Sequence, residues 1–217
     1  MELLGRLPLF LGAVLLIAAV PGPVVLLLIR RGSIGGFAAA APAVVGAEVG
    51  LYAWILAAGA GLAALVATSH VAFTILRVVG AAVLLTLAVQ AFLSARRGRY
   101  DAAASLDDAA PIARFLPRGR RGGFAIGLVT NLANPKAAVF TFAFYPQFIP
   151  HGYPALPTAA LLGLVQIAIE GALYFALSAG IGRARTWVGR RRVRRTLDSV
   201  CGAVLVGLGL RIATESA

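Results

Sequence analysis

Three ionisable residues stand inside otherwise apolar runs: Glu48, Lys136 and Glu170. A charge at the centre of a bilayer costs on the order of 3 kcal/mol on insertion scales, so each needs a partner or a task. Two acids and one base suit a buried charge network in which the base neutralises one carboxyl and leaves the other to titrate. Burial disfavours the charged form of any carboxyl and pairing with a cation restores it. The spare acid is then a candidate proton carrier. A Glu–Lys bridge that only ties helices together is the structural alternative. Lys136 lies about 14 residues into its run, roughly 21 Å at 1.5 Å per residue, too deep to reach water easily. Arg77 is close enough to the end of its run to reach the interface along its own stem and reads as structural.

Two proline motifs lie near these charges: Pro21-Gly22-Pro23 and Asn134-Pro135-Lys136. Proline removes a backbone donor and clashes with the carbonyl four residues earlier, so each motif should open its helix. Freed backbone groups survive at membrane depth only when buried in protein or lining a wet cavity. A matched pair of interrupted helices therefore points to a binding site near the bilayer midplane.

Other chemistry finds no support. His70 and His151 lack metal-ligand spacing, and no nucleophile has a base beside it, so no enzyme and no resident cofactor is expected. There is no glycine-rich phosphate loop, which argues against ATP as the energy source. The single cysteine, Cys201, excludes an intramolecular disulfide or a dithiol relay and should simply pack.

These residues must be positioned by the apolar runs themselves. Of 217 residues, 60% are hydrophobic and 13% charged, with a mean hydropathy of +0.89, too apolar to cover a soluble surface of this size. Six runs approach the roughly 20 residues that span a hydrocarbon core: Leu7 to Ile29, Phe37 to Val66, Val71 to Leu93, Phe124 to Ile149, Leu156 to Ile181 and Leu197 to Ile212. The last is the shortest, with Asp198 and Arg211 at its edges. An apolar start behind Arg6 resembles a signal peptide, but the run continues through Leu28 with no convincing cleavage site, and an uncleaved span is expected.

The net charge of +12 suggests nucleic-acid binding until the basic residues are located. Sixteen of the 20 fall in three connectors. These are Arg30 and Arg31; Arg96, Arg97, Arg99, Arg114, Arg118, Arg120 and Arg121; and Arg183, Arg185, Arg190, Arg191, Arg192, Arg194 and Arg195. The alternate connectors, Ala67 to His70 and Pro150 to Ala155, carry none. This alternation places the basic loops in the cytoplasm and both termini outside, with contacts to membrane lipid headgroups rather than to nucleic acid.

The expected fold class is all-α: a polytopic membrane protein of about six transmembrane helices in a 3+3 inverted repeat, with the first and fourth helices broken. Residues 1–95 form the N-terminal half, 96–122 a basic cytoplasmic loop whose Asp101 to Pro111 stretch reads as linker, and 123–217 the C-terminal half. Glu48-Val49-Gly50-Leu51-Tyr52 and Glu170-Gly171-Ala172-Leu173-Tyr174 share Glu-x-x-Leu-Tyr, each followed by Ala-Gly-x-Gly. Three spans per half force opposite orientations. Gly46 and Gly50 form a Gly-x-x-x-Gly pair that predicts close helix packing.

The run Gly127-Leu128-Val129-Thr130-Asn131-Leu132-Ala133-Asn134-Pro135-Lys136-Ala137, followed by Phe144-Tyr145-Pro146-Gln147-Phe148, resembles the signature of the LysE/RhtB family of amino-acid exporters. Pro21-Gly22-Pro23, Gly46-x-Glu48-x-Gly50 and the segment Gly202 to Leu210 match the family in kind. The resemblance implies a proton-motive-force-driven exporter of amino acids or related small zwitterionic metabolites in the cell membrane, active as a homodimer. It also implies that Pro21, Gly22, Pro23, Asn134, Pro135 and Lys136 belong to the substrate pathway. With Glu48, Asn131 and Glu170 they form the candidate binding set. Family members often carry Asp or Asn after the Pro-Gly-Pro. Val24 stands there in this chain, which argues against a basic amino acid as substrate. The rival expectation is a non-transporting membrane scaffold or lipid-interacting protein.

Overall fold

Proline and glycine decide where the helices of this chain begin and turn. In the computed structural model, described for residues 2–20, 22–68, 119–150, 152–180 and 190–215 and for scattered positions between 75 and 96, every regular element is a helix. Helix α1 spans Glu2–Ala19 and stops just before the Pro-Gly-Pro motif. Helix α2 restarts with Pro23 at its first position, where a missing N–H costs nothing. It runs to Thr68, but Gly35 and Gly36 are not helical. Val24, Val25, Leu27 and Leu28 pack against Ala43, Val44 and Ala47, so the chain reverses at the two glycines into an antiparallel pair of legs.

Gly36 has φ 66° and ψ −162°, a region essentially closed to any residue with a Cβ. Gly36→Ala is therefore expected to destabilise the protein by about 1–3 kcal/mol. Thermal unfolding in detergent would check it.

Helices α3 (Gly119–Leu132), α4 (Pro135–Phe148), α5 (Ala155–Ala179) and α6 (Arg191–Glu215) follow. The second leg of α2 is the hub. On one side it meets α3 through glycines on both helices: a methyl on Gly46 would fall on the Phe124 carbonyl, and one on Gly127 on the Ala43 carbonyl. The close packing expected of Gly46 and Gly50 is thus present, and Gly123 and Gly127 answer it from the partner helix. On another side α2 meets α5, where a methyl on Gly163 would lie 2.8 Å from Ile55 Cγ2. Helix α1 is held to α4 by aromatic rings: Phe10 sits 5.5 Å from Phe144, 6.1 Å from Tyr145 and 5.3 Å from Phe148, centroid to centroid. Arg6 Nη1 also donates to the Gln147 carbonyl, 3.1 Å.

The Pro23–Ala64 stretch and α5 are apolar and long enough to cross a bilayer. Helix α5 has 25 residues, about 38 Å at 1.5 Å per residue. Leu161 and Leu164 on α5 are more than half exposed, and Val45 and Val49 on α2 nearly so, an apolar coat suited to lipid rather than water. Helix α6 begins at Arg191, well before the expected Leu197, because arginine is a good helix former and the basic run simply continues the helix. Asp198, expected at the edge of a span, is buried within α6 at 7% exposure, and Cys201 packs as expected. Pro21, His70, Arg77, His151, the segment 101–118 and the third expected span, apart from scattered helical positions such as Ile75 and Val79, lie outside the described residues.

Candidate functional site

A cavity of about 60 Å³ lies where the two helix interruptions meet α5. Its walls come from Ile17 and Val20 at the end of α1, Gly22, Val24, Val25 and Leu51, then Asn131 and Asn134, Lys136, Ala137 and Phe140 of α4, and Gln166, Glu170 and Tyr174 of α5. Sequence positions more than a hundred residues apart are brought together here.

The interruptions shape its electrostatics. Leu26 N donates to Gly22 O at 3.0 Å, so the amides of Val24 and Val25 precede the first intrahelical bond of α2. At the start of α4, Asn134 is the N-cap: its side chain accepts from Lys136 N at 3.1 Å, and Ala138 N donates to its carbonyl at 3.2 Å. The amide of Ala137 is left without an intrahelical partner. Two helix N-termini, each carrying roughly half a positive charge, therefore open on one cavity, which Lys136 also lines. This end suits an anion.

The opposite wall is acidic and ordered by hydrogen bonds. Tyr145 Oη donates to Gln166 Oε1, 2.9 Å, and Gln166 Nε2 donates to Glu170 Oε2, 3.3 Å. Asn131 Nδ2 donates to the Ala47 carbonyl, 2.7 Å, while its Oδ1 is buried without a hydrogen-bond partner. A cavity with a cationic end, a carboxylate and an amide oxygen can hold a small zwitterion by both of its charges.

Of the candidate residues, Gly22, Asn131, Asn134, Lys136 and Glu170 line the cavity. Pro23 and Pro135 set the helix starts beside it but do not line it, and Pro21 lies outside the described residues. Glu48 does not line it either. It is 8% exposed, its Oε2 has no hydrogen-bond partner, and its side chain packs against α5, where a methyl on Gly171 would be 3.7 Å from Glu48 Cγ. Lys136 and Glu170 both line the cavity, one from α4 and the other from α5. Sequence reasoning missed Gln166, Tyr145 and Tyr174. Gln166 had a signal, an uncharged amide one turn before Glu170 on the same helix face.

The family model for LysE-type translocators matches residues 15–216. The homoserine/homoserine lactone efflux protein of Salmonella typhi is 30% identical over 82% of each chain. The leucine efflux protein of Klebsiella pneumoniae is 30% identical over 97% of this chain and 95% of its own. An uncharacterized membrane protein of Vibrio cholerae is 29% identical over 81% of this chain and 80% of its own. No solved structure matches the chain. With a family match over nearly its whole length, the chain is a membrane protein that belongs to the LysE-type translocator family.

Proposed function

We propose that this protein exports amino acids or related small zwitterionic metabolites, driven by the proton motive force. The observation that carries the reading is the cavity itself, lined by residues of two helix N-termini together with Lys136 and Glu170. The substrate carboxylate meets the first-turn amides of α2 and α4 and the Lys136 ammonium. Its own ammonium meets Glu170 and Asn131 Oδ1. Glu48, one layer behind the cavity against Gly171, takes the proton that couples export to the gradient. Ile17, Val20, Leu51 and Phe140 give the side chain an apolar wall. With Val24 where an acid or amide would hold a second cation, this favours a neutral substrate. The relatives named for leucine and for homoserine efflux fit that class.

The topology belongs with this reading: six spans in a 3+3 inverted repeat, broken at Pro21–Pro23 and Asn134–Lys136, with basic loops in the cytoplasm and both termini outside. Arg6 bonding to the carbonyl of Gln147 supports it, since it holds the chain start to the α4 end assigned to the outer face. A homodimer is the expected assembly.

Proteoliposomes loaded with labelled leucine or homoserine test the function. Efflux is expected to follow an imposed pH gradient and to collapse with an ionophore. Glu48→Gln is expected to keep substrate counterflow but lose the response to the gradient, whereas Glu170→Gln is expected to weaken both. Absence of counterflow for every amino acid in a broad panel would favour the scaffold reading instead.

A further inference from the structure

Helices α1 and α4 both reach the cavity at a helix break, and they run away from it side by side. Ile17 of α1 and Phe140 of α4 line the cavity. Beyond them Phe140, Phe144 and Phe148 follow one another along α4, centroids 4.5 Å apart at each step. Phe10 closes this ladder from α1, edge-on to Phe148, and neither Phe10 nor Phe144 has any exposed surface. Ala13 and Val14 continue the same apolar cluster, so this face of the seam is dry. One polar contact fastens its far end. Gln147 lies in the last turn of α4, where carbonyls lack intrahelical donors and the helix dipole is negative. The Gln147 side chain folds back to donate to Ala143 O at 2.9 Å, while its own carbonyl accepts from Arg6 Nη1 at 3.1 Å.

The hub is joined differently. Helix α2 meets α3 and α5 through glycines: a methyl on Gly46 would strike the Phe124 carbonyl, and one on Gly59 would lie 2.7 Å from Ala159 Cβ. Backbones this close leave no room to slide. Helices α1 and α4 touch through side chains, and each hangs from a break, before Pro23 and before Pro135. We infer that the α1–α4 seam is the gate between the cavity and the end of the bundle where α1 begins, with Phe10 as its plug and Arg6 as its latch. The inference rests on the transport reading above, whose topology puts this end outside. To open, α1 swings on the break after Ala19, Phe10 leaves the α4 ladder, and the Gln147 carbonyl exchanges Arg6 for water. The cavity then meets the solution between Ile17 and Phe140.

Opening can be read without transport. The full chain carrying Ala137→Cys, which places a thiol in the cavity lining, and Cys201→Ser is expressed in intact cells and treated with a membrane-impermeant sulfonated maleimide. Arg6→Gln is expected to speed labelling about tenfold, the scale of one lost hydrogen bond to a charged group, and Phe10→Leu to speed it as well. Gly36→Ala strains a turn of α2 that belongs to neither seam helix, and it is expected to leave the rate unchanged. Unchanged labelling in both seam variants, in cells and in inverted membrane vesicles alike, overturns the inference. Equal acceleration by Gly36→Ala overturns it too, since general loosening then explains the rates. Faster labelling confined to inverted vesicles keeps the gate and overturns the assigned orientation. Because labelling needs no transport, failure of the counterflow panel and failure of the gate are separate results.

Discussion

Lys136→Ala is expected to abolish measurable export while the protein stays folded, and Lys136→Arg to retain part of it. The lysine sits at the second position of α4, immediately after the Asn134 cap, and lines the cavity. Its backbone amide is already engaged by Asn134, so truncating the side chain leaves the helix start intact. What is lost is a positive charge that lines the cavity and, in the proposed binding mode, faces the substrate carboxylate. A charge-assisted hydrogen bond of about 1.5–3 kcal/mol corresponds to a 10- to 100-fold loss of apparent affinity. Arginine keeps the charge but spreads it over a larger planar group, which alters the geometry of the contact. Transport assays on the two variants at matched protein levels would decide the point. Equal activity of Ala and Arg would make the lysine structural.

Gly127→Ala is expected to cost the fold itself. The added methyl would fall on the Ala43 carbonyl, with the Ala43 Cα at 2.9 Å. All of these are backbone atoms of a packed helix, which no side-chain rotation can relieve. Overpacking typically costs about 1–3 kcal/mol, and a backbone clash belongs at or above the top of that range. Asn131, one turn along the same face, reaches across the same contact to the Ala47 carbonyl at 2.7 Å, so parting the helices also breaks the cavity wall. Gly171→Ala is the control: its methyl would meet Glu48 Cγ at 3.7 Å, ordinary contact. Heating in detergent followed by gel filtration should show early loss of the folded peak for Gly127→Ala and near wild-type survival for Gly171→Ala.

The sequence made the helix interruptions legible because proline acts locally: Pro23 and Pro135 forbid a backbone bond whatever surrounds them. Gly46 and Gly50 announced a close helix contact by spacing alone. Their partners on α3, Gly123 and Gly127, did not declare themselves, since which helix fills a groove depends on the tertiary arrangement. Glu48 and Glu170 looked equivalent, each opening a Glu-x-x-Leu-Tyr segment. Only the tertiary arrangement separates them, placing Glu170 in the cavity lining and Glu48 outside it, against Gly171. Ranking residues by charge passed over Gln166 and Tyr145, which carry no formal charge and are joined by a hydrogen bond.

The lining of the cavity bears on how the proposed carrier would load. It is drawn from helices far apart in sequence, with Ile17 on α1, Lys136 on α4 and Glu170 on α5. Under the proposed export cycle, any shift of one helix against the others changes the binding set, and the apparent affinity then falls with the fraction of time that the lining is complete. Affinity is thereby tied to the placement of whole helices rather than of single side chains.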